Sequence, residues 1–269
     1  MCNFWSCIVT KNGEVLFDEM SDRHEDIIDK YKLVDDTADP ALLKFARVEI
    51  NPPNGDVFAH INDWVFKIDQ SIIPTWWTKE NEKSCYKKLK YFTKKAILIG
   101  KEIKEISSGR FWVKDCKIVE TKGTALICEM RGTSQVGEML ETSKVGEMWE
   151  TSKVGEMWGT SKVGVMRETS KVGVMLETSQ VGEMWGTSKV GEMWGTSQVG
   201  EMLGTSKVGV MRGTSQVGEM RGTSQVGVFS KNSIFYCKEN AIAIIYFEQS
   251  PKIIVANKNI KIEYQKDAQ

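Results

Sequence analysis

The sequence lacks an excess of charge of either sign. Lysine plus arginine and aspartate plus glutamate each number 36 in 269 residues, so the formal net charge is zero. A protein that binds nucleic acid through a broad electrostatic surface carries a basic excess, and an acidic mimic of DNA carries the opposite one. The composition therefore disfavours nucleic acid as a partner.

The sequence also lacks an apolar run of the roughly 18 residues that indicate a membrane-spanning helix, and its first residues show no signal peptide pattern. It has two histidines, and its six cysteines show no CxxC pair and no metal-ligand spacing. The Walker, GxGxxG, HExxH and GxSxG patterns are absent. We therefore expect no metal, no cofactor and no membrane contact, and a cytoplasmic chain with reduced thiols.

What the chain does contain is a nine-residue repeat, for example TSKVGEMWG. Thr recurs at every ninth position from 133 to 223, with Val three residues later and Met six residues later; Phe229 closes the Met series. The apolar phase extends beyond the obvious copies, at Ile118 upstream and at Phe235, Ile244, Ile253 and Ile262 downstream. One periodic structure is therefore predicted from about Asp115 to about Tyr264, with the degenerate ends as caps.

The repeat predicts a parallel β-solenoid. Ser and Val, two residues apart, share the inner face of a short strand, and Met faces inward from a second short strand. We expect the glycine after Val, and the Gly or Glu before Thr, to form the corners. Nine extended residues give a perimeter of only about 30 Å, which favours two nonads per turn. Calcium-binding nonapeptide rolls need Asp within the repeat, and none occurs between Asp115 and Asp267.

The first part of the chain has different patterns. Two apolar runs around Asn12-Gly13 predict a hairpin, DRHEDIIDKYK and TKENEKSCYKKLKYFTKKA predict helices, and KFARVEI and DWVFKIDQ predict strands. His24 is expected on a helix surface. The fold class is thus mainly β, a parallel β-solenoid over residues 113–266 preceded by a small α+β domain over residues 1–112.

Stacking would turn the variable position after Met into a ladder of outward side chains. Exposed Trp and Arg in a row suit recognition of a partner protein or a polymer, although these positions could also be simply tolerant. The ladder contains Trp149, Trp158, Trp185, Trp194, Leu140, Leu176, Leu203, Arg131, Arg167, Arg212 and Arg221. The solenoid ends and faces also leave self-association open.

An alternative function is catalytic. Removal of Met1 would expose Cys2, whose free α-amine can act as the base for its own thiol, as in N-terminal nucleophile hydrolases. Arg47, Glu49 and Asp69 lie on predicted strands that could complete such a site. A solvated sheet face with cross-strand ion pairs explains the same three residues without catalysis.

The string MCNFWSCIVTKNGEVLFD…SDRHEDIIDKYKL…FARVEINPPNG…WVFKIDQ…PTWW, followed by nonads of the form GTSxVGEM, resembles a group of uncharacterised proteins in bacteriophage and prophage genomes. The resemblance implies a phage or mobile-element origin, the two-part architecture, and a location in the bacterial cytoplasm or on a virion. It assigns no catalytic residue. The leading expectation is a non-enzymatic protein whose solenoid presents a repetitive binding surface; the alternative is an enzyme that uses Cys2 and carries the solenoid as a targeting arm.

Overall fold

The computed structural model describes residues 5–18, 20–34, 37–228, 232–238, 240–246, 252–255 and 261–265. The chain divides into two compact units, Met1–Leu98 and Ile99–Gln269. No helix within these described ranges is both long enough and apolar enough to cross a membrane.

The first unit contains a four-stranded antiparallel sheet and two α-helices. The strand order is β2-β1-β3-β4, and the predicted hairpin is confirmed, because β1 and β2 pair on either side of Gly13, whose φ is +80°. Short 3-10 turns lie at Pro53–Gly55 and Ile61–Asp63. The strands are β1 (Trp5–Thr10), β2 (Val15–Leu16), β3 (Phe45–Asn51) and β4 (Val65–Ile68), and the helices are α1 (His24–Lys30) and α2 (Lys79–Ala96).

Helix α2 begins at a capping box and buries one face. The Thr78 hydroxyl accepts a hydrogen bond from the Asn81 backbone N–H, and the Asn81 side chain accepts one from the Thr78 backbone N–H. Cys85, Leu89 and Ala96 are buried on the inner face. The core of this unit also includes Ile8, Ile27 and Phe45.

The second unit is a parallel β-solenoid of twenty described strands. Successive strands alternate between two ten-stranded sheets, which we call the odd sheet (β5, β7 and so on to β23) and the even sheet (β6, β8 and so on to β24). The strands are β5 (Ile97–Ile99), β6 (Glu102–Ile106), β7 (Arg110–Lys114), β8 (Lys117–Thr121), β9 (Leu126–Arg131), β10 (Gln135–Met139), β11 (Lys144–Met148), β12 (Lys153–Met157), β13 (Lys162–Met166), β14 (Lys171–Met175), β15 (Gln180–Met184), β16 (Lys189–Met193), β17 (Gln198–Met202), β18 (Lys207–Met211), β19 (Gln216–Met220), β20 (Gln225–Val228), β21 (Ile234–Cys237), β22 (Ile242–Tyr246), β23 (Lys252–Val255) and β24 (Lys261–Gln265).

Each coil of the solenoid contains two nonads, as the perimeter argument favoured. Val145 pairs with Val163, and Met148 with Met166, so identical residues 18 positions apart lie in register. The Val and Met side chains of the repeats are buried between the two sheets. At ~4.8 Å between neighbouring strands, ten strands give a sheet about 43 Å long.

The glycine after Val lies in the middle of a strand, and the prediction that it forms a corner is wrong. Each nonad forms one five-residue strand, in which Val and the Met three residues later both face the core. A regular strand would turn residues three apart to opposite faces. The ladder pairing on both sides of Gly173 omits this glycine, so the alternation changes there and Met needs no strand of its own.

The corner before Thr is confirmed, and it requires a left-handed backbone. Gly186 has φ +67° there, and Glu168 in the coil below has φ +54°. Glycine adopts this region freely, whereas a residue with a Cβ is strained in it. Four corners of the repeat nevertheless contain glutamate, at Glu141, Glu150, Glu168 and Glu177.

Pairing extends beyond the obvious repeats at both ends. Ile118 pairs with Val136, and Phe235 with both Val217 and Ile253, as their phase predicted. The expected domain boundary at 112/113 falls within β7, whereas the observed division falls within β5.

Two residues of the downstream phase need correction. Ala243, and not Ile244, pairs with Val226 and with Ile262, because this coil is one residue shorter. Val228 pairs with Met211 in the row that Phe229 was expected to close, and Phe229 itself lies outside the described residues.

Candidate binding surfaces of the solenoid

The single ladder expected after Met is wrong in its arrangement, because residues nine apart lie on different sheets. Residues 18 apart stack instead: the Arg167 N–H bonds the Met148 carbonyl, and the Leu176 N–H bonds the Met157 carbonyl. Two separate rows result. The odd row follows the odd strands and contains Arg131, Trp149, Arg167, Trp185, Leu203 and Arg221; the even row follows the even strands and contains Leu140, Trp158, Leu176, Trp194 and Arg212.

Arginine covers the aromatic rings of the odd row. The guanidinium of Arg167 lies 4.7 Å from the ring centre of Trp149 and 5.9 Å from that of Trp185. Arg131 lies 5.9 Å from the Trp149 ring centre. The Nε of Arg167 is also 3.2 Å from an oxygen of Glu147. The odd row is therefore a connected cation–π and ion-pair network.

The even row presents two indoles, which lie two coils apart like those of the odd row. Trp158 and Trp194 are 38% and 40% exposed, and the coil between them carries Leu176. Their Nε1 atoms donate to Glu156 and Glu192 at 2.9 and 2.7 Å. These hydrogen bonds fix the indoles while leaving much of each ring in contact with solvent.

A shallow trough crosses each sheet, and the sequence interpretation missed both because it placed the glycines at corners. On the even sheet a trough of about 490 Å³ is lined by the Lys/Gln position and by Gly137, Gly155 and Gly173. On the odd sheet a trough of about 350 Å³ is lined by Gly164, Gly182 and equivalent positions. The sequence signal for both was the Lys/Gln-Val-Gly triplet.

The charged residues predicted on β3 and β4 do come together. Lys67 pairs with Glu49 across the strands, with its Nζ 3.3 Å from Glu49 and 2.8 Å from Asp69. The Asp69 N–H bonds the Arg47 carbonyl. The hydrogen bond from Lys67 lowers the pKa of Asp69 below its usual range. This geometry is that of an exposed cross-strand ion-pair cluster.

His24 joins this cluster, so its expected position on a helix surface is wrong. It is buried, with Nε2 3.1 Å from the Val48 carbonyl oxygen and Nδ1 3.5 Å from Asp69. The sequence signal for its burial was its spacing from Ile27. Residues three apart on a helix share a face, so His24 lies on the same face as the apolar Ile27.

Cys2, the proposed nucleophile of the alternative function, lies outside the described residues. The sequence analysis did not predict a contact between two other cysteines. The Sγ atoms of Cys7 on β1 and Cys85 on α2 lie 3.6 Å apart and are buried. Burial raises the pKa of Cys7 well above its usual range, and the contact with Cys85 adds to the effect. A raised pKa keeps a thiol protonated and unreactive.

Within the part of the chain that the structure describes, no three His, Cys, Asp or Glu side chains are arranged to hold a metal ion. A scan against protein-family models finds no match, and neither do searches of curated proteins and of solved structures. The resemblance to phage and prophage proteins therefore stays a prediction.

Proposed function

We propose that this protein is a non-enzymatic binding protein of phage or mobile-element type, whose solenoid presents repeated side chains to a partner protein or polymer. The observation that carries the proposal is the in-register pairing of residues 18 apart. Because of this pairing, each outward position of the repeat recurs on every strand of a sheet, at intervals of ~4.8 Å. The odd and even rows are the proposed contact surfaces.

Repetition supports a binding role because weak contacts add when they are linked. Several equivalent contacts along one rigid support raise the overall affinity without any single strong site. The core of each coil is built from the same Val and Met residues, so added coils extend the surface without changing the packing. Trp and Arg are also the side chains most enriched where binding energy concentrates.

The proposal is tested by changing Trp149, Trp158, Trp185 and Trp194 together to Ser. The immobilised protein is incubated with bacterial lysate and with a panel of polysaccharides, and the bound material is quantified. We expect wild type to capture a partner and the four-Trp variant to lose it, with the far-UV spectrum unchanged. The matched control changes Lys144, Lys162, Gln180 and Gln198 to Ser on the odd sheet and should keep the partner. Equal capture by both variants would refute the proposal.

A second candidate is the enzyme that uses Cys2, which the proximity of Arg47 and Glu49 on β3 to Asp69, the residue after β4, favours. Deletion of residues 160–177, one coil, separates the two candidates. An enzyme would keep its turnover of a small substrate, whereas a multivalent binder would lose avidity. An intact mass that retains Met1 would exclude the enzyme, because the α-amine of Cys2 would then be blocked.

A further inference from the structure

The even sheet carries a row of four lysines in adjacent coils. Lys153, Lys171, Lys189 and Lys207 are direct neighbours in the parallel register, and all four are exposed. Their backbone positions recur at ~4.8 Å. Among the described residues, none of the four forms an ion pair. Like charges that face each other across strands repel, so a bound anion would relieve this repulsion.

The odd sheet differs at the same position. There Lys144 and Lys162 are followed by Gln180, Gln198 and Gln216. Arginines of the odd row are also paired with glutamates, Arg167 with Glu147 and Arg221 with Glu219. Unpaired positive charge is therefore concentrated on the even sheet.

Lys153 and Lys171 of this row line one side of the even-sheet trough. The row continues from there in the same register through Lys189 and Lys207. The floor of the trough is glycine. On the other side of the glycine along each strand lies the Glu/Val position, three residues after each Lys, which we call the far wall. Three residues of strand separate the Lys position from the far wall by about 10 Å. The trough runs across the strands, so a linear chain lying in it would meet one lysine per coil.

The far wall alternates with a period of two coils. Along β12, β14, β16 and β18, the far wall and the even row beside it change together. The successive pairs are Glu156 with Trp158, Val174 with Leu176, Glu192 with Trp194, and Val210 with Arg212. Glu156 and Glu192 accept hydrogen bonds from the indoles beside them. Lys171 and Lys207 instead face valine, about 9.6 Å apart at two strand spacings.

We infer that this trough binds an extended, unbranched anionic polysaccharide with one carboxylate in each disaccharide. The inference rests on the proposed function and names its partner. In an extended chain whose alternate sugar rings are turned over, the same edge of the sugar returns at every second ring. The length of two sugar rings is close to two strand spacings, so successive carboxylates reach Lys171 and Lys207. The apolar wall of Val174 and Leu176 then contacts the C–H face of the rings.

Other linear anions fit this wall less well. Alternate side chains of an extended acidic peptide recur at about 6.7 Å, which falls out of step with the lysines. Single-stranded nucleic acid gains much of its affinity by stacking bases on open aromatic faces. Arg212 lies 4.9 Å from the ring centre of Trp194 and covers one of its faces.

The test measures binding of fluorescently labelled hyaluronate oligosaccharides to the full chain at low ionic strength. Two variants with equal change in net charge are compared, K171Q/K207Q on the even sheet and K144Q/K162Q on the odd sheet. Gln occupies this position in other coils, so both variants should fold. We expect K171Q/K207Q to weaken binding by roughly tenfold through loss of two charge-assisted contacts, while K144Q/K162Q stays close to wild type.

Oligo-dT and polyglutamate of matched length are the competing probes, and dextran is the neutral control. Tighter binding of oligo-dT or polyglutamate, equal losses in the two variants, or no binding of hyaluronate by wild type would each overturn the inference. A chain that captures a partner through its Trp rows but ignores hyaluronate would overturn this inference alone and leave the proposed function standing. Hyaluronate binding that survives the four-Trp substitution would overturn the role of the Trp rows and leave the inference about the lysine row standing.

Discussion

A Cβ atom on Gly173 would lie 2.5 Å from the carbonyl oxygen of Gly155, one coil below. The same contact recurs along both sheets, for example between Gly164 and the carbonyl of Gly146 at 2.5 Å. The backbones of neighbouring coils therefore approach too closely at this point for any side chain. This contact explains why glycine follows Val in every clear copy of the repeat.

Gly173→Ala should destabilise the solenoid by about 1–3 kcal/mol, the usual range for an added methyl group that forces the backbone to shift. Thermal unfolding followed by far-UV circular dichroism measures the loss. Lys171→Ala, in the same strand but exposed, should leave the midpoint almost unchanged. Equal stability of wild type and Gly173→Ala would show that the coils can separate there without cost.

Glu168→Gly should stabilise the protein by about 1 kcal/mol, because glycine removes the strain of a left-handed residue with a Cβ. Glu177→Gly is the matched comparison. The Glu177 carboxylate accepts a hydrogen bond of 2.9 Å from the Gly159 N–H, so its replacement also removes a contact. Denaturant unfolding should therefore rank Glu168→Gly above Glu177→Gly; the opposite order would contradict the role given to corner strain.

Ser170→Ala should be neutral or slightly stabilising. The Ser170 hydroxyl is buried and has no hydrogen-bond partner among the described residues, so alanine removes an unsatisfied polar group. Ser134 is the contrasting position, since its hydroxyl donates to the Arg131 carbonyl at 2.7 Å and accepts from the Cys116 N–H at 3.3 Å. Ser134→Ala should cost about 1 kcal/mol. A large loss at Ser170, measured by calorimetry, would reveal a partner for its hydroxyl.

The first unit should lose stability in acid through Asp69. The hydrogen bond from Lys67 lowers the pKa of Asp69, so the carboxylate stabilises the folded state above the unfolded pKa of about 3.9. That contribution is lost as the pH falls through the lower, folded pKa. The destabilisation caused by Asp69→Asn should therefore be larger at about pH 6 than at about pH 3.

Urea unfolding at the two pH values measures this difference, with Asp29→Asn, an exposed residue of α1, as the control. A constant difference between wild type and Asp69→Asn across this pH range would contradict the assignment.

The fold could be predicted from the sequence because the period of nine determines which residues recur on one face. The spacing of Val and Met indicated the core, and the perimeter favoured two nonads per coil. The change in side-chain alternation at the mid-strand glycine could not be predicted, because it depends on contact between backbones in neighbouring coils. Ala243 was missed for a related reason, since the shortening of one coil shows only in the strand pairing.

The binding surfaces were predicted only in composition. Trp149 and Trp158 are equivalent in the repeat, yet they lie in different rows once two nonads complete a coil. Their neighbours therefore differ as well, with Arg167 against Trp149 and Leu176 in the coil above Trp158. Contacts of this kind depend on residues 18 apart, which a comparison of adjacent nonads does not bring together.

Because each coil contains two nonads, consecutive nonads belong alternately to the odd sheet and to the even sheet. Loss or gain of 18 residues changes only its length. Loss or gain of nine residues keeps every Val and Met in the core, but transfers each later strand to the opposite sheet. A single duplication step could thus exchange the outward faces of half the molecule while its interior packing stays the same.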